Sequence, residues 1–217
     1  MRDRDISRVL ALIERANRAF VVPAVTKVAA RRDPYAVLVS TVLSLRTKDD
    51  VTLAASGRLL TRAPDPAALL RLPAARIQKL IFPVGFYRVK ARHLRRIARL
   101  LLERHGGRVP ADLDTLLELP GVGRKTANLV LVLGFGLPGV CVDTHVHRIS
   151  NRLGYVRTRQ PLETEMALRR KLPRRHWLTV NDLLVTFGQN VCGPLSPRCS
   201  TCPVARYCAR VGVRRSR

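Results

Sequence analysis

Acidic residues are scarce in this 217-residue sequence, where 15 Asp and Glu stand against 40 Lys and Arg and leave a formal net charge of +25. Such an imbalance disfavours compaction unless a polyanion or counterions neutralise it, so nucleic acid is the expected partner. A coding bias toward arginine would explain 34 Arg over six Lys, but not basic over acidic. Guanidinium groups also suit planar, bidentate recognition of phosphate. Long apolar runs are missing too. The longest comparable stretch, Leu129 to Phe135, falls far short of the roughly 18 residues that cross a bilayer, so no membrane partner is expected. The amphipathic, Arg-bearing segment Ile6 to Phe20 could suggest a transit peptide, but Asp3, Asp5 and Glu14 argue for a packed helix instead. The expected compartment is the cytoplasm, with nucleoid association in a prokaryote.

Period-two alternation long enough to build a sheet is absent, as are internal repeats and low-complexity tracts. Apolar residues recur at helical spacing instead: Ile6, Val9, Leu10 and Ile13, then Val51, Ala54 and Ala55, then Leu94, Ile97, Ala98 and Leu101. The chain is therefore expected to be nearly all α. Thr47 and Asp50 stand at capping-box spacing, Asp65 precedes Pro66 at a helix start, and Gly106-Gly107 ends a helix. That last helix, Tyr87 to His105, carries Arg88, Arg92, Arg95, Arg96 and Arg99 on one side and its apolar stripe on the other. Val140 to Val142 reads as a brief extended link.

Cysteines number five, too few and too clustered for a secreted disulfide scaffold. Cys192, Cys199, Cys202 and Cys208 form Cys-x6-Cys-x2-Cys-x5-Cys. A zinc site normally draws on two paired knuckles separated by a longer insert. Here one Cys-x2-Cys is flanked by loops of similar length, which suits the wider body of a cuboidal iron-sulfur cluster better. Cys141, between Val140 and Val142, reads as a buried, inert thiol.

The stretch Leu119-Pro120-Gly121-Val122-Gly123-Arg124-Lys125-Thr126-Ala127 links a helix around Asp112 to Glu118 with another from about Arg124 to Phe135. It reads as a helix-hairpin-helix. Two glycines permit a tight turn, and the following helix adds the positive end of its dipole, so the backbone amides at Gly121, Val122 and Gly123 can hold a phosphate without side chains. Lys125 falls in the first turn of that helix beside Arg124, where dipole and neighbouring cation both disfavour an ammonium. A neutral amine there can attack an electrophilic sugar carbon and form a Schiff base; the plainer role is a charged phosphate ligand. Asp143, eighteen residues on in Val142-Asp143-Thr144-His145, precedes another helix, His145 to Arg152. It can serve as an N-cap, and also as a carboxylate that stabilises positive charge growing on a sugar.

These elements, with Leu43-Ser44-Leu45-Arg46-Thr47-Lys48-Asp49 and Gly85-Phe86-Tyr87, resemble the endonuclease III family of the helix-hairpin-helix DNA glycosylase superfamily over nearly the whole chain. The resemblance implies an all-α, two-domain fold. A six-helix barrel, residues 27–137, would contain the hairpin, and residues 1–26 with 138–217 would form an iron-sulfur cluster domain. It implies a bifunctional DNA glycosylase and abasic-site lyase, a monomer acting on double-stranded DNA that holds damaged bases or abasic sites. Lys125 would be the nucleophile, Asp143 the essential carboxylate, and Cys192, Cys199, Cys202 and Cys208 the ligands of a 4Fe-4S cluster. Gly121, Val122, Gly123, Arg46, Phe86 and His145 would touch DNA. Oxidised pyrimidines would be the substrates, with strand nicking by β-elimination, and something must fill the gap left by the extruded nucleotide. Arg46 stands where the family commonly has Gln, and Phe86 where it has an aliphatic wedge, which bears on lesion and opposite-base preference. The alternatives are a glycosylase of this fold without lyase activity and a non-catalytic iron-sulfur module that binds DNA.

Overall fold

The computed structural model describes residues 1–30 and 32–217. Along the chain run α1 (Ile6–Asn17), α2 (Ala24–Ala29), α3 (Pro34–Ser44), α4 (Asp49–Arg62), α5 (Pro66–Arg71), α6 (Ala74–Ile81), α7 (Tyr87–His105), α8 (Leu113–Leu117), α9 (Arg124–Leu129), α10 (Thr144–Arg152), α11 (Pro161–Lys171) and α12 (Val180–Asn190). Among the described residues there is no strand, so the all-α class is as read, and Val140 to Val142 is a link outside any helix. Two compact units emerge, one of Ala24–Leu137 and one of Met1–Pro23 with Pro138–Arg217.

The unit of residues 24–137 is arranged around α3, whose residues from Tyr35 to Leu43 are all buried. A helix apolar on every side has no face to offer water and must be enclosed. Helices α2, α4, α7 and α9 pack around it. Asp33 caps its start by accepting from the Tyr35 amide at 2.9 Å, with Pro34 as the first helical residue. Asp65 caps α5 in the same way, through the Ala68 amide at 2.7 Å. Helix α7 covers Tyr87–His105 as read, buries its apolar stripe and ends at Gly106 and Gly107, both with positive φ.

Two local expectations need correction. Thr47 does not cap α4; Lys48 precedes the helix and gives it no side-chain cap. The Thr47 hydroxyl instead donates to the Leu45 carbonyl at 3.2 Å and accepts from the Gly85 amide at 3.2 Å. The helix expected from Arg124 to Phe135 is α-helical only to Leu129 and widens into a π-helical stretch, Val130–Gly134. Gly134 lies over the start of α3, where an added Cβ would come within 3.1 Å of the Pro34 backbone.

In the other unit α1 packs on α12, and α10 packs on both α11 and α12. Ile6, Val9, Leu10 and Ile13 of α1 join Phe187 of α12 and Ile149 of α10 in one apolar core. Cys192, Cys202 and Cys208 pack against the edge of that core. Beyond Asn190 the chain has only the short 3-10 turn Ala205–Tyr207 and cannot close a core by itself.

Candidate nucleic-acid and catalytic site

The hairpin begins at α8, whose N-cap Asp112 accepts from the Thr115 hydroxyl at 2.7 Å and from its amide at 2.8 Å. Those bonds hold the Asp112 carboxyl below the usual carboxylate range. The turn tucks Leu119 and Val122 inward and leaves Gly121 and Gly123 exposed. The two glycines are glycine for different reasons. Gly121 has φ +78°, and a Cβ there would lie 2.4 Å from Nδ1 of His93 on α7. Gly123, the N-cap of α9, has φ −96° and open space where a Cβ would stand. The Val122 amide, read as outward-facing, donates to the Leu119 carbonyl at 3.1 Å. Lys125 is the second residue of α9 and half-buried, above the buried Thr126 and Ala127.

Arg46 and Phe86 belong to the same unit and lie side by side. Both have left-handed backbones, φ +53° and +58°, which are uncommon for residues with side chains. The Arg46 guanidinium stands 5.7 Å from the centre of the Phe86 ring, and both side chains are exposed. Gly85 is what allows the two segments to meet, since a Cβ at that position would fall 2.5 Å from the Arg46 carbonyl oxygen. Lys90, one turn into α7, is buried behind them at 5% exposure. Its ammonium donates to the Leu43 carbonyl at 2.8 Å, to the Leu45 carbonyl, and to the Thr47 hydroxyl at 3.1 Å. Burial pushes its pKa down to about 8, so the amine is charged at neutral pH.

Asp143 and His145 lie in the unit of the termini. Asp143 caps α10, its Oδ1 accepting from the amides of His145 and Val146, both at 2.9 Å. The His145 ring is in contact with Arg148 at 3.2 Å and packs over Gly188 of α12, where a Cβ would meet it at 2.4 Å. Arg148 continues toward the cysteines, donating to the Cys192 carbonyl at 2.9 Å and the Gly188 carbonyl at 3.2 Å. One turn on, the buried Arg152 donates to the carbonyls of Gly193 at 2.6 Å and Pro194 at 2.5 Å, and stands 3.5 Å from the Cys192 sulfur.

All four terminal cysteines line one hollow, together with Arg152 and apolar residues such as Ile149 and Val204. They are free thiols, and Cys141 is buried apart from them. Burial pushes the Cys202 and Cys208 thiols up, and the neighbouring cysteines push them the same way. Among the described residues, no three His, Cys, Asp or Glu side chains are gathered closely enough for a single metal ion.

Sequence reading missed Lys90, His93, Arg148 and Arg152. Lys90 did leave a signal, since it shares the helical phase of Leu94, Ile97 and Leu101 and so falls in the buried stripe of a basic helix.

Fold and hairpin together define a helix-hairpin-helix repair protein, and the family described as "HhH-GPD superfamily base excision DNA repair protein" matches residues 39–174. Endonuclease III of Thermotoga maritima is 49% identical over 81% of this chain and 83% of its own length. That of Bacillus subtilis is 38% identical over 85% and 84%. The chain belongs to the endonuclease III family. It spans only about half, 48%, of the longer Arabidopsis thaliana homologue, to which it is 45% identical. Among solved structures, a trapped endonuclease III–DNA covalent intermediate is similar at a TM-score of 0.86 and 32% identity, over 97% of each chain. A thermostable thymine-DNA glycosylase is similar at 0.82 and 26% identity, over 96% of each.

Proposed function

We propose that this protein is a DNA glycosylase and abasic-site lyase of base excision repair that works through Lys125. The observation that carries the reading is a lysine in the first turn of the helix leaving the hairpin, in a chain similar along its whole length to an endonuclease III trapped covalently on DNA. In its neutral form the Lys125 Nζ attacks C1′ of the damaged nucleotide. The glycosidic bond breaks with its electron pair leaving on the base, which takes up a proton. Opening of the sugar ring gives an iminium between Nζ and C1′, loss of a C2′ proton expels the 3′ phosphate, and water then frees the amine. Asp143 supplies the carboxylate that stabilises the sugar cation. Because Oδ1 is committed to two amides of α10, Oδ2 is the oxygen left for that work.

DNA would be held first by its backbone. With the Val122 amide used inside the turn, the amides of Gly121 and Gly123 are the ones to face phosphate. Among the described residues nothing forbids a side chain at Gly123, so its glycine fits close approach from outside. Arg46 and Phe86 fill the gap left by the extruded nucleotide. The substrate class is duplex DNA carrying oxidised pyrimidines or abasic sites, and the protein acts as a monomer. Among the described residues no helix is long and apolar enough to cross a membrane; the cytoplasm, or the nucleoid of a prokaryote, is the proposed compartment.

Four soft thiolates around one hollow suit a 4Fe-4S cluster, whose size explains why they are not drawn to single-ion spacing. Cys192, Cys199, Cys202 and Cys208 would hold it, in the domain formed by the two terminal segments. When bound, the cluster supplies cross-links that order the chain after Asn190. From the side of α10, Arg148 fixes the Cys192 carbonyl and Arg152 the carbonyls of the two residues that follow it.

The test is borohydride reduction on lesion duplex. It should capture a protein–DNA adduct in the native protein and none in Lys125→Ala. Undiminished strand cleavage by Lys125→Ala would overturn the mechanism, and release of free base with no adduct in the native protein would favour a glycosylase without lyase activity.

A further inference from the structure

The stacking pair Arg46 and Phe86 comes from segments forty residues apart in sequence, and each sits in a backbone conformation that side chains disfavour. Something must hold both in place. Behind them is a single buried cation, Lys90, whose three partners are oxygens of residues 43–47. Two are carbonyls at the C-terminal end of α3, where helix carbonyls lack intrahelical partners and the dipole favours a positive charge. The third is the Thr47 hydroxyl, which also accepts from the Gly85 amide and so joins the segment of Arg46 to that of Phe86. Lys90 further anchors Phe86 through its own backbone, its amide donating to the Phe86 carbonyl at 3.0 Å as the first turn of α7.

A methionine at this position would fill the same space without the cost of desolvating a charge. What the ammonium adds is directed hydrogen bonding to the loop that carries Arg46. We infer that Lys90 is a positioning residue that locks Arg46 and Phe86 into one preassembled stacking unit, so that a paired base can be displaced without first ordering two separate loops. The inference rests on the reading of Arg46 and Phe86 as gap-filling residues. Lys90 touches neither DNA nor the reacting atoms; it acts through the backbone of its neighbours.

Two DNA substrates separate this role from general support of the fold. One holds the abasic site opposite a base within a regular duplex, and the other holds it in a bulge, where the nucleotide is already outside the stack. Single-turnover adduct formation under borohydride is measured on both. Lys90→Met should slow the paired substrate by about 10- to 100-fold, the penalty of ångström-scale misplacement, and leave the bulged one nearly unchanged. Thr47→Val, which removes the bridging hydroxyl at a half-buried position, should lower the paired-to-bulged ratio in the same direction and decides the matter if Lys90→Met fails to fold. In an Arg46→Ala/Phe86→Ala background neither change should lower the ratio further. An equal loss on both substrates, or an unchanged ratio in Lys90→Met and Thr47→Val while Arg46→Ala/Phe86→Ala lowers it, would overturn the role of Lys90. An unchanged ratio in Arg46→Ala/Phe86→Ala itself would instead remove the gap-filling reading beneath it.

Discussion

The unit of residues 24–137 and the unit made from the two termini are held together by different means. In the first, α3 is enclosed by neighbouring helices, and Leu38 and Leu43 are wholly buried in its apolar core. In the second, α1, α10 and α12 share an apolar core, but the chain after Asn190 is a string of turns tied to α10 by arginine–carbonyl bonds, with four cysteines lining one hollow beside it. A small or irregular segment that cannot bury enough apolar area needs such ties. The first unit is thus stable through packing, while the last part of the second would depend on the proposed cluster for its order.

The strongest way to break that contrast is to remove the iron of the proposed cluster. After chelation, limited proteolysis should cut the chain beyond Asn190 while residues 24–137 resist, and Cys202→Ser should act alike. Equal protection of both regions without iron would erase the distinction. In the packed unit Leu38→Ala should cost about 3 to 5 kcal/mol in denaturant unfolding, through lost burial and the cavity left behind.

Lys90 sharpens the comparison by showing that the packed unit also carries a charge at its own expense. Its folded pKa, about 8, lies below the ordinary 10.5, so the folded state gives up the proton more readily than the unfolded chain does. Between those values the unfolded chain binds more protons, and stability contributed at this site rises with pH. The stability difference between the native protein and Lys90→Met should therefore move in favour of the native protein by up to about 3 kcal/mol from pH 7.5 to pH 10.5. A flat difference would show that the ammonium is not desolvated.

Smaller effects come from the hairpin. Gly121→Ala should destabilise by about 1 to 2 kcal/mol for its positive φ alone, with crowding of His93 in addition. Gly123→Ala should change stability by less than about 0.5 kcal/mol, since an added Cβ meets no described atom, yet weaken binding to undamaged duplex if phosphate approaches there as proposed. Loss of stability at Gly123 with no change in DNA affinity would reverse the roles assigned to the two glycines.

Much of this arrangement was legible in local pattern. The apolar stripe of Leu94, Ile97, Ala98 and Leu101 gave α7 its length, and Gly106-Gly107 its end. Asp65 before Pro66 marked α5, and Asp143 marked α10, because a cap is recognised by its immediate neighbours. Thr47 misled for the opposite reason. Its spacing to Asp50 satisfied a local rule, but its hydroxyl was claimed by Gly85 and Lys90, some forty residues away. The π-helical turn at Val130–Gly134 was hidden likewise, since a helical period does not report which carbonyl each amide chooses.

By itself the sequence determined the all-α class, the glycine hairpin with its lysine, and the grouping of four cysteines, since periodicity, conformational freedom and ligand spacing are written in consecutive residues. Only the tertiary structure decided which polar atoms meet across long separations: Lys90 under the Arg46 loop, His93 against Gly121, Arg152 against the turn after Cys192. Such pairings are selected by the requirement that every buried charge and carbonyl find a partner, a condition of the folded interior that no stretch of chain expresses alone.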